Sequence, residues 1–115
     1  MTNYMRGILA EIYVIGYLTI KGYRIIAWRY KTPVGEIDII AGKRNLLVFV
    51  EVKLRGNINS AFESITPRMQ DRISRAAKYF IAKNRRFSNH SLRFDAIAVS
   101  RFSLRHLDNA WMTLA

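Results

Sequence analysis

The chain has 115 residues, half of them apolar, and no linker or low-complexity tract divides it, so it reads as one ordinary domain able to build a core, residues 1–115 throughout. Nineteen Lys and Arg against eight Asp and Glu leave a formal net charge of +11, which bears on partners rather than fold and ranks nucleic acid above acidic proteins or anionic membrane, because Lys and Arg neutralise phosphates. The lack of Cys excludes disulfides and thiolate metal centres, and His90 and His106 stand apart without metal-ligand spacing, so each reads as a surface or packing residue.

The first element is a helix over residues 3–21, stopped by Gly22. It is apolar nearly all round, which predicts that it is largely buried. Residues 8–20, behind Arg6, imitate a secretory leader, but Glu11 interrupts them and no small-residue cleavage site follows. The stretch is also shorter than the roughly 20 apolar residues that span a bilayer, so a cytoplasmic protein without membrane attachment is expected. Residues 23–30 read as a strand, broken at Lys31-Thr32-Pro33. Residues 36–41 form a second strand, and Gly42-Lys43-Arg44-Asn45 a turn. The third strand, residues 46–54, is apolar on both faces, as suits a strand covered on both sides. A short helical turn over residues 60–65 is followed by a longer helix, with Thr66 as N-cap, Pro67 in its first position and an end near Asn84. Its core face is Met69, Ile73, Ala76, Ala77, Phe80 and Ile81. Residues 85–91 read as a polar loop, and residues 92–100 and 104–111 as two more strands. The order αβββαββ is that of an α/β sandwich around a mixed sheet.

Three sites carry a charge where the local pattern calls for an apolar side chain: Asp38 within residues 35–40, Glu51 with Lys53 within residues 48–53, and Glu11 in the first helix. Burying a carboxylate is costly unless it is paired or binds a metal. Glu51 and Lys53 share a face because side chains alternate along a strand. A turn closing on Arg44-Asn45 sets Asp38 opposite Glu51; a four-residue loop sets it opposite Phe49 and diagonal to Glu51. Either way the three side chains point to one face, roughly 5 to 8 Å apart, and two carboxylates at that spacing hold a hard divalent cation. Such a cation would polarise a phosphodiester oxygen and acidify a bound water, with Lys53 orienting that water or neutralising the developing charge. Glu11 stands among Gly7, Ile8, Val14, Ile15 and Leu18, so its partner should lie inside the protein: the metal, its water shell or Lys53. The plainer alternatives are a strand ion pair for Glu51 and Lys53, a turn residue for Asp38, and a carboxylate reaching solvent or a basic side chain for Glu11. Glu36 reads as a supporting or surface charge.

Asp38, twelve residues, then Glu51-Val52-Lys53 resembles the PD-(D/E)XK nuclease signature. The wider set, Gly35-Glu36-Ile37-Asp38-Ile39-Ile40-Ala41, Leu47-Val48-Phe49-Val50-Glu51-Val52-Lys53, Thr66-Pro67-Arg68 and Arg93-Phe94-Asp95, resembles the YraN-like family of bacterial endonucleases, related in fold to Holliday-junction resolvases, over nearly the whole chain. The resemblance implies a restriction-endonuclease-like αβββαβ core with a mixed central sheet flanked by helices. It implies Asp38, Glu51 and the backbone carbonyl of Val52 as ligands of Mg²⁺ or Mn²⁺, Lys53 as the catalytic lysine, and Glu11 as the acidic residue of the first helix. The chain departs from the pattern at Ile37, which precedes Asp38 where Pro is common, at Ala10 and Val14 in the opening helix, and at Met69, where the family favours a basic residue.

For the substrate, Arg68, Arg72, Arg75, Tyr79 and Lys83 fall on one face of the long helix, a basic stripe suited to a phosphate backbone. Arg29, Lys31, Arg55, Arg85 and Arg86 add charge near strand ends. No base-reading motif is visible, so backbone and shape recognition of DNA is expected, with junction or branched DNA as one class of substrate. Two rival readings are a non-catalytic nucleic-acid binder and a metal-free RNA endonuclease built on His, Tyr and Lys. Residues 104–115, with Leu107, Trp111, Met112 and Leu114, read as finishing the sheet, with pairing to a second chain in a homodimer as the alternative.

Overall fold

The computed structural model describes residues 1–101 and 103–112. The elements are α1 (Asn3–Ile20), β1 (Arg24–Thr32), β2 (Gly35–Lys43), β3 (Leu46–Leu54), α2 (Ile58–Glu63), α3 (Pro67–Lys83), β4 (Ser91–Val99) and β5 (Leu104–Trp111). The five strands lie side by side in chain order. All neighbours are antiparallel except β3 and β4, which run parallel because α2 and α3 carry the chain back to the starting end. The result is a mixed sheet with helices on both faces, an arrangement that accommodates the expected αβββαβ core.

The local chemistry explains the boundaries. The Thr2 hydroxyl accepts from Met5 N–H at the start of α1, and Gly22, at φ 94°, lets the chain turn away after it. Thr66 accepts from Met69 N–H and Pro67 opens α3, as its sequence predicts. Pro33 ends β1 without destroying the pairing: Thr32 Oγ1 accepts from the N–H groups of Val34 and Gly35, and a tight hairpin places Thr32 opposite Gly35. The next hairpin turns on Arg44 and Asn45 alone, with Arg44 at φ 56° and Lys43 opposite Leu46.

Strand β3 is buried on both faces, which is why it lacks alternation. Leu47 and Phe49 pack with Ile73, Ala76, Ala77 and Phe80 of α3, whereas Val48 and Val50 pack with Ala10, Val14 and Leu18 of α1. A second layer of rings, Phe49 on Phe94 and Phe94 on Trp111, joins β3, β4 and β5 below α3.

Three expectations need correction. Helix α1 buries one stripe only, Ala10, Glu11, Val14 and Leu18; Leu9, Ile12, Tyr13 and Ile20 face outward, Ile20 at 88% exposure. An all-apolar helix on a single sheet has only one face to bury. The short helix begins at Ile58 rather than residue 60, because Asn57 caps it by accepting from Asn59 and Ser60 N–H. The polar loop contains a 3₁₀ turn, Arg85–Phe87, whose Phe87 is buried against Phe80. Residues 104–111 form the edge strand β5, as their sequence predicts, while Leu114 lies outside the described residues. Both outer strands are irregular: β1 shifts register between Ile25 and Ala27 and holds Arg29 at φ 56°, and β5 shifts opposite Asp95 and holds Asn109 at φ 53°. Among the described residues no helix is long and apolar enough to cross a membrane.

Candidate active site

Strands β2 and β3 pair from the Arg44-Asn45 turn as far as Ile39 opposite Val50. One further step of that register sets Asp38 opposite Glu51, the shorter-turn alternative, but there the ladder ends and the strands part. The Val52 N–H, released from strand pairing, donates to Asp38 Oδ2 at 2.8 Å. The amide and carbonyl of one strand residue leave by the same edge, so the Val52 carbonyl also opens into this fork. Lys53, half-buried, follows Glu51 on the same face.

Burial pushes the Glu51 carboxyl well above the usual carboxylate range; its hydrogen bond to Asp38 and the charge of Asp38 push it further, while Lys53 pulls it down. A carboxyl pushed up in this way beside a second acid marks a place short of positive charge. Two carboxylates and a carbonyl are hard oxygen donors of the kind Mg²⁺ and Mn²⁺ take. Among the described residues no group of three or more His, Cys, Asp or Glu converges. Water and substrate oxygens would therefore complete the shell, as is usual for Mg²⁺. The donor set fits the cation that the sequence implies.

Glu51 opens onto a cleft of about 600 Å³ between the β1–β2 hairpin and α3, lined also by Lys31, Glu36, Met69, Arg72 and Ile73. Gly35 brings the walls together, since a Cβ there would stand 3.2 Å from the Arg72 carbonyl oxygen. Lys31 and Arg72 thus line the cleft together with Glu51 and the acid Glu36. Arg68, Arg72, Arg75 and Lys83 are exposed along α3; Tyr79 is half-buried with Lys83 over its ring, and Arg75 is tied to Asp71 at 3.0 Å. Arg55, just past β3, is exposed, its guanidinium folded onto the Leu54 carbonyl.

Glu11 does not reach Lys53 or the carboxylate pair. Its Oε1 accepts from Trp28 Nε1 at 2.7 Å and lies 3.5 Å from Arg29 Nε. Burial raises its carboxyl, and the charges of Asp38 and Glu36 add to that, so it stands in the electrostatic neighbourhood of the site on the α1 side of the sheet. Arg29, assigned to DNA from the sequence, is engaged with Glu11 and with the Tyr4 hydroxyl at 3.1 Å.

A second polar cluster was hidden in the sequence. Asp95, 0% exposed in β4, accepts from Arg93 Nε and Nη2 at 2.8 Å each, from Asn109 N–H at 3.0 Å and from His106 Nε2 at 2.7 Å. Burial alone would raise its carboxyl; the donors from His106, Arg93 and Asn109 outweigh burial and hold it below the usual value. With Nε2–H directed at Asp95, His106 Nδ1 accepts from the Tyr17 hydroxyl at 3.0 Å. Arg93 Nη2 also donates to the Tyr23 hydroxyl at 2.9 Å. The available signal was a charge in the apolar run 94–99, the same anomaly that marks Asp38.

Residues 10–99 match the family model described as "Uncharacterised protein family UPF0102". A UPF0102 protein of Rhodopseudomonas palustris (strain BisB18) is 47% identical over 91% of this chain and 78% of its own length. One from Bradyrhizobium diazoefficiens is 49% identical over 88% of this chain and 77% of its own. One from Parvibaculum lavamentivorans is 42% identical over 96% and 84%. The chain belongs to the UPF0102 family.

Proposed function

Proceeding from that membership, we propose that this UPF0102 protein is a metal-dependent endonuclease that hydrolyses DNA phosphodiester bonds, with branched or junction DNA among its substrates. The observation that carries the reading is the Asp38–Glu51 carboxyl pair at the β2–β3 fork, with Glu51 on the wall of a cleft that Lys31 and Arg72 also line and Lys53 on the same face as Glu51. A purely structural carboxylate pair has no reason to sit there, since replacing it by apolar residues would remove a desolvation cost.

Asp38, Glu51 and the Val52 carbonyl would hold Mg²⁺ or Mn²⁺, whose chemistry is to polarise a phosphoryl oxygen and acidify water. The Lys53 ammonium stands where negative charge grows on the attacked phosphate. Arg72 and Lys31, on the cleft walls, grip the flanking phosphates and fix the strand against the carboxylates. Hydrolysis joins the water oxygen to phosphorus and breaks one phosphorus–ester bond, the departing sugar oxygen taking up a proton.

Against the metal-free RNA endonuclease, His106 has both ring nitrogens engaged and lies on the α1 side, away from Glu51. The test is cleavage of duplex, single-stranded, flap and four-way-junction DNA and of RNA, with Mg²⁺, Mn²⁺ or EDTA. Metal-dependent cutting of a DNA member, absent in Asp38→Asn, is expected. RNA cleavage that survives EDTA, or binding without any cutting, would overturn the reading.

A further inference from the structure

On the α1 side of the sheet, beside the Asp95 cluster, lies a pocket of about 410 Å³ lined by Tyr17, Lys21, Tyr23, Arg93, Arg105 and His106. Its hydrogen-bond inventory is lopsided. His106 is fully occupied between Asp95 and Tyr17, and the Tyr17 oxygen also accepts from Lys21 Nζ at 3.3 Å. The Tyr23 oxygen accepts from Arg93 Nη2, which leaves its O–H to donate elsewhere. Two protons of the Lys21 ammonium remain. Asp95, the natural sink for these donors, is buried beneath and saturated; Asp108, the remaining acid of the lining, is exposed. What stays open to the pocket is a set of donors and cations with few acceptors.

We infer that this pocket is a phosphate-binding site separate from the carboxylate cleft, taking the oxyanion of a phosphate or phosphate ester on the Tyr23 hydroxyl and the Lys21 ammonium, beside the Arg93 guanidinium. The Asp95 cluster is its foundation: Arg93 and His106 are locked by the buried carboxylate and in turn aim Tyr23 and Tyr17. Charged hydrogen bonds to such an anion need no backbone rearrangement, because the donors are held before it arrives. The phosphate belongs either to a nucleic-acid backbone or to a free phosphate; the chemistry is common to both, and the site does not depend on the nuclease reading.

The test is an NMR titration of the full chain in EDTA, so that no cleavage intervenes. One arm uses inorganic phosphate, the other a thymidine dinucleotide bearing a single phosphodiester and no terminal phosphate. Shifts at the amides of Tyr23 and Arg105 are expected, with affinity falling about tenfold in Lys21→Ala and again in Tyr23→Phe, while Arg72→Ala leaves these shifts unchanged. Binding of both ligands identifies a backbone site; binding of inorganic phosphate alone identifies a site for free phosphate. No shift at the pocket with either ligand, or shifts that persist in the folded double variant, would overturn the inference. Loss of cleavage in Asp38→Asn is read separately, so failure of either proposal leaves the other standing.

Discussion

Val52 N–H donates to Asp38 Oδ2 at 2.8 Å at the point where β2 and β3 stop pairing with each other. The bond marks the fork: a carboxylate takes the place of a strand partner for the Val52 N–H, beside Glu51, beyond the last paired residues Ile39 and Val50. The catalytic proposal rests on that one replacement.

Asp38→Asn and Glu51→Gln should each lower DNA cleavage by about 100-fold or more, since each keeps the shape and deletes a charged metal ligand. Their melting temperatures in EDTA should be equal to or above that of the wild type, because the buried acid pair is relieved. Undiminished cleavage at saturating Mg²⁺ would remove the assignment.

The pH dependence has a definite sign. Glu51 is held above the ordinary carboxylate value, first by burial and then by Asp38, so the metal-free fold binds a proton that the unfolded chain releases from about pH 4.3 upward. Metal-free stability contributed by this site is present below that pH and is lost as pH climbs towards the raised value. Thermal melts in EDTA should show Glu51→Gln gaining on the wild type as pH rises. Mg²⁺ addition should release protons and narrow the difference. Parallel curves would show that Glu51 is ionised throughout.

Asp95 behaves oppositely. Its carboxyl is held below the ordinary value, so its contribution is present above about pH 3.9 and is lost as pH falls through the folded value. Asp95→Asn should cost about 3 kcal/mol at pH 7, since Arg93 is left partly buried without its anion. Urea unfolding should show the penalty shrinking below pH 4; equal stability at pH 7 would contradict the cluster as drawn.

DNA binding should weaken steeply with salt and little with sequence. Arg72→Ala, at the cleft, should reduce the salt slope by about one. Arg75→Ala should do less, because Arg75 already leans on Asp71. Filter binding from low to moderate salt decides the order.

Ile20→Lys and Ile12→Gln should change stability by no more than about 0.5 kcal/mol, whereas Leu18→Ala should cost about 3 kcal/mol. All three lie on α1, but only Leu18 is buried. Urea denaturation that finds the three alike would mean that the outer face is covered.

The legibility of these features in the sequence follows from the range of the interactions. Strand parity is local, so Asp38, Glu51 and Lys53 could be assigned to one face. The hairpin length stayed open until Arg44 took a left-handed conformation. Glu11 was visible as an oddity, but Trp28 comes from a neighbouring strand whose bulge no periodicity announces. Asp95 gathers donors from β4 and a distorted β5, and nothing local specifies that convergence. Apolarity all round α1 conveyed its tendency to bury, not how many faces the sheet could offer it.

The irregular outer strands bear on how two copies can meet. An edge strand recruits another chain by offering a regular row of N–H and C=O groups. Here the row on β1 is broken at Ile26 and twisted at Arg29, and that on β5 is broken around Asn109. An incoming strand finds matching groups for only a few residues before the spacing fails. Among the described residues, the geometry of both edge strands disfavours self-association through continuous strand pairing.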